Sequence, residues 1–379
     1  MATETRPDRS EGEVHKSAFE QLMEYGRARG YKLDWLSPRE TFGSHLESRA
    51  EQGGLLLQDV DRGPFGQAPD WSDNLTGRPR GALTRANTPR VGNYSVRTKA
   101  DIWLKNGAQL YEEAVQRQWS SAVDIPWETL EELPDEIERA ECQLATFLTE
   151  VEFVAGDVPG KWIAETTPDY YEPRMYLITQ IMDEARHLDV FRKRALANGG
   201  GLMLQVSNST AAGGVIDSAR DFTEMSARLH ISGEGSVLSL FRMGERMSYN
   251  DAEKAIYRLA ASDESRHVAF GVMHLQYLAQ TDPERREEVH SYLDEIELGL
   301  VAAANGQNPA ARGTPSNAAL TVLLGGGTDP ASLREGQNIL LAVRQRQVKE
   351  YVQRIRVAGL GDRFENGRAN PELMRYVTA

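Results

Sequence analysis

The segment Asp183-Glu184-Ala185-Arg186-His187 is repeated as Asp263-Glu264-Ser265-Arg266-His267, with four of the five positions identical. Both copies lie within long stretches that have the apolar periodicity of a helix. In a helix, a Glu and a His three positions apart project from the same face about one turn apart. Such a pair can hold one transition-metal ion, so two of these helices packed face to face are predicted to hold two ions side by side.

Two metal ions require more negative charge than two glutamates supply, and we expect one further Glu from each of two neighbouring helices. On the helix before the first motif, Glu152 continues an apolar face, whereas Glu150 lies on a different face. On the helix before the second motif, Glu234 is central and precedes an apolar stretch, whereas Glu224 and Glu245 lie further out. A carboxylate embedded in such an apolar helix needs a positive partner.

From about residue 98 the chain has the pattern of long helices with short connections, which predicts an all-α bundle. The predicted helices cover roughly 98–122, 134–155, 173–198, 219–247, 251–280, 283–304 and 331–357. Gly156 and Pro159 are predicted to end the second of these, and the Gly- and Pro-rich residues 305–328 are predicted to form a loop. The predicted domains are an irregular N-terminal arm (1–95) with a few short helices, a helical domain (96–360) and a C-terminal tail (361–379).

The composition is that of a soluble globular protein, with 40% hydrophobic and 26% charged residues among 379. The net charge of −13 argues against nucleic acid or an anionic membrane as the main partner. Cys142 is the only cysteine, so an intrachain disulfide and a Cys-rich zinc or iron–sulfur site are excluded. No apolar run approaches the roughly 18 residues that span a bilayer, and the start lacks the apolar core of a signal peptide. We therefore expect a cytoplasmic protein.

The doubled Asp-Glu-x-Arg-His motif resembles that of the ferritin-like superfamily of carboxylate-bridged diiron proteins. It is closest to the hydroxylase subunits of bacterial multicomponent monooxygenases, and similar to acyl-carrier-protein desaturases and the small subunits of ribonucleotide reductases. The resemblance covers about residues 135–280. It implies a ferritin-like four-helix core with extra helices, two iron ions as cofactor and O₂ as co-substrate. The implied iron ligands, which are also the implied catalytic residues, are Glu152, Glu184, His187, Glu234, Glu264 and His267.

The resemblance also implies that Asp183 and Asp263 each accept a hydrogen bond from the far ring nitrogen of a ligand His. Arg186 and Arg266 would then balance these aspartates, with surface ion pairs as the equally favoured alternative. His230 lies one turn before Glu234. It is a candidate seventh ligand or hydrogen-bond donor beside the site, although an ordinary core histidine is favoured.

Three departures from related families bear on the chemistry. Leu238 stands where the monooxygenase hydroxylases usually have Thr, which puts a proton relay there in doubt. Phe191 stands where the reductase subunits have their radical Tyr, so a stable tyrosyl radical of that type is not expected and a mixed manganese–iron pair stays possible. Ala260 stands where the N-oxygenase branch has an additional His, which weakens that branch.

The predicted function is hydroxylation, or another oxygen insertion, on a small organic substrate. No flavin, nicotinamide or iron–sulfur motif is present, so the electrons are expected from a separate reductase. The alternatives are an acyl-chain desaturase with a carrier-bound substrate, an amine N-oxygenase, and an iron-binding or scaffold bundle protein without turnover. A homodimer is the expected assembly.

The basic stretch 344–356 is predicted to be a solvated helix face rather than a docking surface for an acidic partner. The predicted substrate pocket is lined by Ala145, Leu148, Val151, Ala155, Val237, Leu238 and Phe241.

Overall fold

The structure, a computed structural model, describes residues 16–33, 53–82, 87–204, 214–306 and 314–377. The chain divides into two compact units, residues 1–48 and 49–379. The described part of the first unit contains helix α1 (Ala18–Ala28). Ser17 caps its first turn, because the Ser17 hydroxyl accepts a hydrogen bond from the Glu20 backbone N–H while the Glu20 carboxylate accepts one from the Ser17 N–H. The rest of this description concerns the second unit.

The second unit is helical, and isolated β-bridges join Trp71 to Thr98 and Val96 to Thr166. One long helix, α7, runs continuously through an α segment (Phe222–Ser226), a π segment (Ala227–Gly233) and a second α segment (Glu234–Met247). The other helices are α2 (Leu57–Val60), α3 (Gly63–Gly66), α4 (Gly107–Gln116), α5 (Asp135–Glu165), α6 (Tyr171–Leu196), α8 (Asp251–Thr281), α9 (Pro283–Ala304), α10 (Pro315–Gly325), α11 (Pro330–Val357) and α12 (Pro371–Val377).

Helices α5 to α8 form the bundle that positions the two motifs. Short connections join α5 to α6 and α7 to α8, so each pair packs antiparallel, and α6 also packs against α8. Asn250 begins α8 sharply, because its side chain accepts a hydrogen bond from the Glu253 backbone N–H at 2.9 Å. In the described residues no helix combines the length and the apolar character that crossing a membrane requires.

Helix α5 does not end where the sequence predicts. It continues through Gly156 and Pro159 to Glu165, so the expected stop near residue 155 is wrong. Pro159 removes one backbone hydrogen bond, but the helix on both sides of it is anchored by apolar burial. Val158 and Trp162 are buried in the core that α5 shares with α6 and α7.

The first predicted helix is also shorter than expected. A 3₁₀ turn occupies Lys99–Asp101, and α4 ends at Gln116 rather than near residue 122. After it, the chain turns inward: the Asp124 carboxylate accepts a hydrogen bond from the Ser120 backbone N–H at 2.7 Å. This turn buries Trp119 against α6 and α8, which a continued surface helix would not do.

The predicted loop 305–328 contains helix α10. Thr314 and Pro315 provide the N-cap and the first-turn proline that favour a helix start, and Gly326 ends the helix in the left-handed conformation at φ 73°. Ala319 and Leu320 are buried against the core around α5. The high glycine and proline content of the segment thus marks the ends of a helix rather than its absence.

Residues 72–80 of the predicted arm are held against the start of α6 by a buried polar cluster. Ser72 and Asn74 donate hydrogen bonds to the two oxygens of the Asp169 carboxylate, at 2.7 and 3.0 Å. Arg80 donates to the Glu172 carboxylate at 2.8 Å, and the Arg80 side chain is 3% exposed. The arm is therefore attached through charged groups that must be paired, because they are removed from water.

We expect Arg80→Ala to lower the free energy of unfolding by about 3 kcal/mol, because it leaves the Glu172 carboxylate buried without its partner. Urea denaturation followed by circular dichroism measures this value. Arg78→Ala is the control, since the Arg78 side chain is more exposed and lies 3.9 Å from Asp73. Equal losses in the two variants would contradict the structural role of Arg80.

Candidate metal centre

The structure brings together all six side chains that were expected to bind metal. Helix α5 contributes Glu152, α6 contributes Glu184 and His187, α7 contributes Glu234, and α8 contributes Glu264 and His267; each is at most 2% exposed. They form two groups, and the potential ligand atoms within each group lie within 4.8 Å of one another. The groups are Glu152, Glu184, His187 and Glu264, and Glu184, Glu234, Glu264 and His267.

Glu184 and Glu264 belong to both groups, so each could contribute an oxygen to both ion sites. The Nδ1 atom of His187 lies 3.1 Å from Glu184 Oε2 and 3.3 Å from Glu264 Oε1. The Nδ1 atom of His267 lies 3.1 Å from Glu184 Oε1 and 3.1 Å from Glu264 Oε2. Each of the two carboxylates therefore presents one oxygen to each histidine. Glu152 and Glu234 belong to one group each, at opposite ends of the cluster.

Several buried oxygens of this cluster accept no hydrogen bond from the part of the chain that the structure describes: both oxygens of Glu152, Oε1 of Glu184 and Oε1 of Glu264. Leaving a buried carboxylate oxygen without a partner is costly, so the arrangement calls for a cation among these atoms. The donor set of carboxylate oxygens and imidazole nitrogens suits iron and manganese. The residues present thus fit a dimetal site.

The pKa shifts within the cluster also indicate a site for a cation. Burial, reinforced by the neighbouring carboxylates of Glu264 and Glu184, raises the pKa of Glu234 well above its usual range, and burial is also the main reason why the pKa of Glu152 is raised. Burial opposes ionisation of Glu184 too, but His267 beside it prevails and lowers the pKa of that carboxyl to about 2. The carboxylates in this space therefore need a cation close to them to be stable in the charged form.

The outer nitrogen of each histidine is held by an aspartate of the other motif. His187 Nε2 lies 3.2 Å from Asp263 Oδ2, and His267 Nε2 lies 3.4 Å from Asp183 Oδ2. An Nε2–H that donates to a carboxylate leaves Nδ1 free to bind a metal, and it fixes the orientation of the ring. Each histidine thus presents the same nitrogen, Nδ1, to the cluster.

The two arginines complete this network. Arg186 donates to Asp263 at 2.9 Å, and Arg266 donates to Asp183 at 3.0 Å. Each arginine also pairs with the aspartate three residues before it in its own motif. Both arginines are buried, so the alternative of surface ion pairs does not apply. Four charged groups therefore link α6 to α8 directly behind the histidines.

His230 lies outside both groups of candidate ligands and reaches the cluster through Gln180. His230 Nε2 donates to Gln180 Oε1 at 3.1 Å, and Gln180 Nε2 donates to Glu234 Oε1 at 3.3 Å. The Ser226 hydroxyl donates to His230 Nδ1 at 2.8 Å. Burial lowers the pKa of His230 well below its usual value, which is consistent with a neutral ring. Gln180 was missed from the sequence, although it lies one turn before Glu184 and thus on the same helix face.

Trp119 is a second residue beside the site that was not predicted from the sequence. Its indole Nε1 donates to Asp263 Oδ2 at 2.7 Å, and its ring lies 6.3 Å from that of His187. Trp119 precedes the turn at Ser120, and its position in the sequence has no helical spacing relative to either motif. Only the folded structure shows that it reaches Asp263.

The predicted substrate pocket is reproduced in one residue. A cavity of about 810 Å³ opens among α7, α8 and α11, and Leu238 contributes to its lining. The other six predicted residues are absent from the described lining of that cavity. Ala145, Leu148, Ala155 and Phe241 are buried in the core, whereas Val151 and Val237 are half-buried.

Comparison with known proteins gives structural matches alone: no protein-family model and no curated protein matches the chain. A valine-to-alanine variant of an R2-like ligand-binding oxidase with an anaerobically reconstituted Mn/Fe cofactor matches with a TM-score of 0.51 at 18% identity. Two tyrosine-to-phenylalanine variants with aerobically reconstituted Mn/Fe cofactors match with a TM-score of 0.50 at 18% identity. Each match covers 66% of this chain and 92% of the other. The likeness confirms the predicted all-α, ferritin-like fold.

We expect the purified protein to bind two transition-metal ions per chain after loading with ferrous iron, and His187→Ala combined with His267→Ala to abolish this binding. The double variant removes one nitrogen ligand from each group. Metal-to-protein ratios from mass spectrometry of the dissolved metal measure the effect. Glu150→Gln is the control, because Glu150 lies on α5 outside both groups. Unchanged metal content in the double variant would refute the site.

Asp183→Asn and Asp263→Asn are each expected to weaken metal binding by about 10- to 100-fold, since the histidine rings lose the carboxylates that orient them. Competition with a chelator of known affinity measures the change. Asp189→Asn is a matched control on α6, because its carboxylate is 47% exposed and pairs with Lys193. An equal loss in the control variant would show that the effect is not specific to the crossed aspartates.

Proposed function

We propose that this chain is an O₂-activating dimetal oxidoreductase of the monooxygenase type, which inserts oxygen into a small organic substrate. The observation that carries the proposal is the pair of ligand groups that share Glu184 and Glu264 and each include one histidine. A redox-active pair of ions needs carboxylates that can bridge and histidines that hold each ion in place. The structural relatives, R2-like ligand-binding oxidases with Mn/Fe cofactors, support this chemistry on the same fold.

The residues of this chain would hold the metals and protect them. Glu152, Glu184 and His187 would hold one ion with Glu264, and Glu234 and His267 would complete the second site. A pair of iron ions, or one manganese and one iron ion, would supply the electrons for reduction of O₂. A separate reductase would replenish these electrons, since the chain carries no motif for an electron-transfer cofactor.

Two phenylalanines cover the cluster on the His187 side. The Phe241 ring lies 6.3 Å from the His187 ring, edge to face, and Phe191 lies 5.3 Å from Phe241. Both phenylalanines are at most 1% exposed. A dry, apolar shell of this kind protects a strong oxidant from quenching by solvent. It favours turnover over simple metal storage, which requires no such protection.

We expect the protein, loaded anaerobically with ferrous iron and then mixed with O₂, to consume O₂ faster than free ferrous iron in the same buffer. An oxygen electrode measures the rate. The double variant His187→Ala, His267→Ala should consume O₂ only at the rate of free iron. The Glu150→Gln variant should consume O₂ at the rate of the natural protein. A protein that binds two ions without accelerated O₂ consumption would instead support the iron-binding or scaffold alternative.

A further inference from the structure

The two ligand groups of the candidate metal centre differ at their outer glutamates. The first ligand group has Glu152 beside His187. The second ligand group has Glu234 beside His267, and the other two carboxylates are common to both groups. The histidines are held alike, because the Nε2 atom of each lies within 3.4 Å of an aspartate oxygen. The outer glutamates are therefore where the two ion sites can differ.

Glu234 accepts a hydrogen bond from a residue outside both groups. Gln180, a fully buried residue of α6, donates through Nε2 to Glu234 Oε1 at 3.3 Å. A hydrogen bond to a charged carboxylate is stronger than one between neutral groups, and it restricts the orientation of that carboxylate. Glu152 has no equivalent, since neither of its oxygens accepts a hydrogen bond within the described ranges of the chain.

His230 determines which end of the Gln180 side chain faces Glu234. The Ser226 hydroxyl lies 2.8 Å from His230 Nδ1, and His230 Nε2 lies 3.1 Å from Gln180 Oε1. When the hydroxyl donates to Nδ1, the ring hydrogen is on Nε2 and points at the Gln180 carbonyl oxygen. The amide nitrogen of Gln180 is then directed at Glu234, so all three hydrogen bonds run in one direction.

The reverse direction does not suit a metal ligand. With the ring hydrogen on Nδ1, His230 Nε2 would accept from the Gln180 amide, and the Gln180 carbonyl oxygen would face Glu234. Two oxygens can share that contact only if Glu234 is protonated, whereas a carboxyl group must be ionised to bind a metal. The Ser226 hydroxyl can serve in either direction, so a bound cation selects the one in which Gln180 donates.

Packing holds His230 in place independently of any metal. Ser226, His230 and Glu234 follow one another at intervals of four along α7, which keeps them close to one face of the helix. The neighbouring helix α8 leaves room for the imidazole at Gly271, where a Cβ atom would come within 2.4 Å of His230 Cβ. The Phe270 ring lies 5.2 Å from the imidazole, edge to face. The group that orients Gln180 is thus fixed by the fold.

We propose that Gln180 is a positioning residue for Glu234, and that the second ligand group consequently binds a metal ion more tightly than the first. The inference rests on the dimetal centre of the proposed function and adds an inequality between its two sites. A carboxylate that is already oriented loses less conformational freedom on binding, whereas Glu152 is ordered only by the ion. The centre then takes up its first ion beside His267 and its second beside His187.

The first test compares two variants that each keep one complete ligand group. Glu152→Ala keeps the second group, and Glu234→Ala keeps the first. Metal-free protein is titrated with manganous ion, and the electron paramagnetic resonance signal of the free ion measures binding. We expect Glu152→Ala to bind its first ion about tenfold more tightly than Glu234→Ala, the effect of one hydrogen bond to a charged group. Only the first ion is compared, so repulsion between two ions does not contribute.

The second test adds Gln180→Met to each of these two variants. With Glu152→Ala it should weaken manganese binding by about 10- to 100-fold, because the ligand loses the residue that orients it. With Glu234→Ala it should leave binding unchanged, because the acceptor of the Gln180 hydrogen bond is already absent. A general loosening of the fold would weaken both alike. Thr179→Val is the matched control, since the Thr179 hydroxyl donates to a backbone carbonyl of its own helix at 2.6 Å.

His230→Phe provides an independent variant that keeps a ring of similar size. Without the donor at Nε2, the Gln180 amide can present either end to Glu234. We expect manganese binding by Glu152→Ala to weaken, but by less than with Gln180→Met. His274→Phe is the control, because His274 is another fully buried histidine that lies outside both ligand groups.

The inference is overturned if Glu234→Ala binds its ion as tightly as Glu152→Ala does, or more tightly. It is also overturned if Gln180→Met weakens binding equally in the two variants. The natural protein would still bind two ions in either case, and the dimetal proposal would stand. A natural protein that binds no manganese and no iron would overturn both.

Discussion

The crossed network of two aspartates and two arginines between α6 and α8 is the constraint on which the candidate site depends. Asp183 and Asp263 are each 1% exposed, and each is paired with both Arg186 and Arg266. None of these four charges is tolerable in the bundle interior without the others. Because the partners come from different helices, the network is satisfied only when α6 and α8 meet in one register. That register brings the two Glu-x-x-His pairs opposite each other.

The same register determines the roles of the glutamates. Asp263 and Asp183 hold the two histidines through their Nε2 atoms, so the Nδ1 atoms point into the space between α6 and α8. Glu184 and Glu264 then lie between the two rings, with one oxygen toward each histidine. Glu152 and Glu234 come from helices that flank this pair and can reach one histidine side each. The distinction between carboxylates that belong to both ligand groups and those that belong to one thus arises from which helices carry the crossed network.

The sequence predicts this centre well because its pattern is local and repeated. Spacing within a single helix places Glu184 with His187 and Glu264 with His267, and it needs no knowledge of the tertiary structure. The features that the sequence did not reveal depend on contacts between distant segments. Trp119 reaches Asp263 only because the chain turns inward after α4, and α5 passes Pro159 only because the residues around it are buried. Spacing within single helices therefore predicted which side chains come together better than local propensity predicted where the helices end.

The π segment in α7 shows how a local irregularity connects the centre with the cavity. The wider turns of a π-helix shift the phase of the residues that follow, so the face on which Glu234 lies cannot be read from an unbroken period of 3.6. After the π segment, Glu234, Leu238 and Arg242 follow one another at intervals of four residues. One face of α7 thus runs from Glu234 in the buried carboxylate cluster to Leu238 and Arg242, which both line the cavity among α7, α8 and α11.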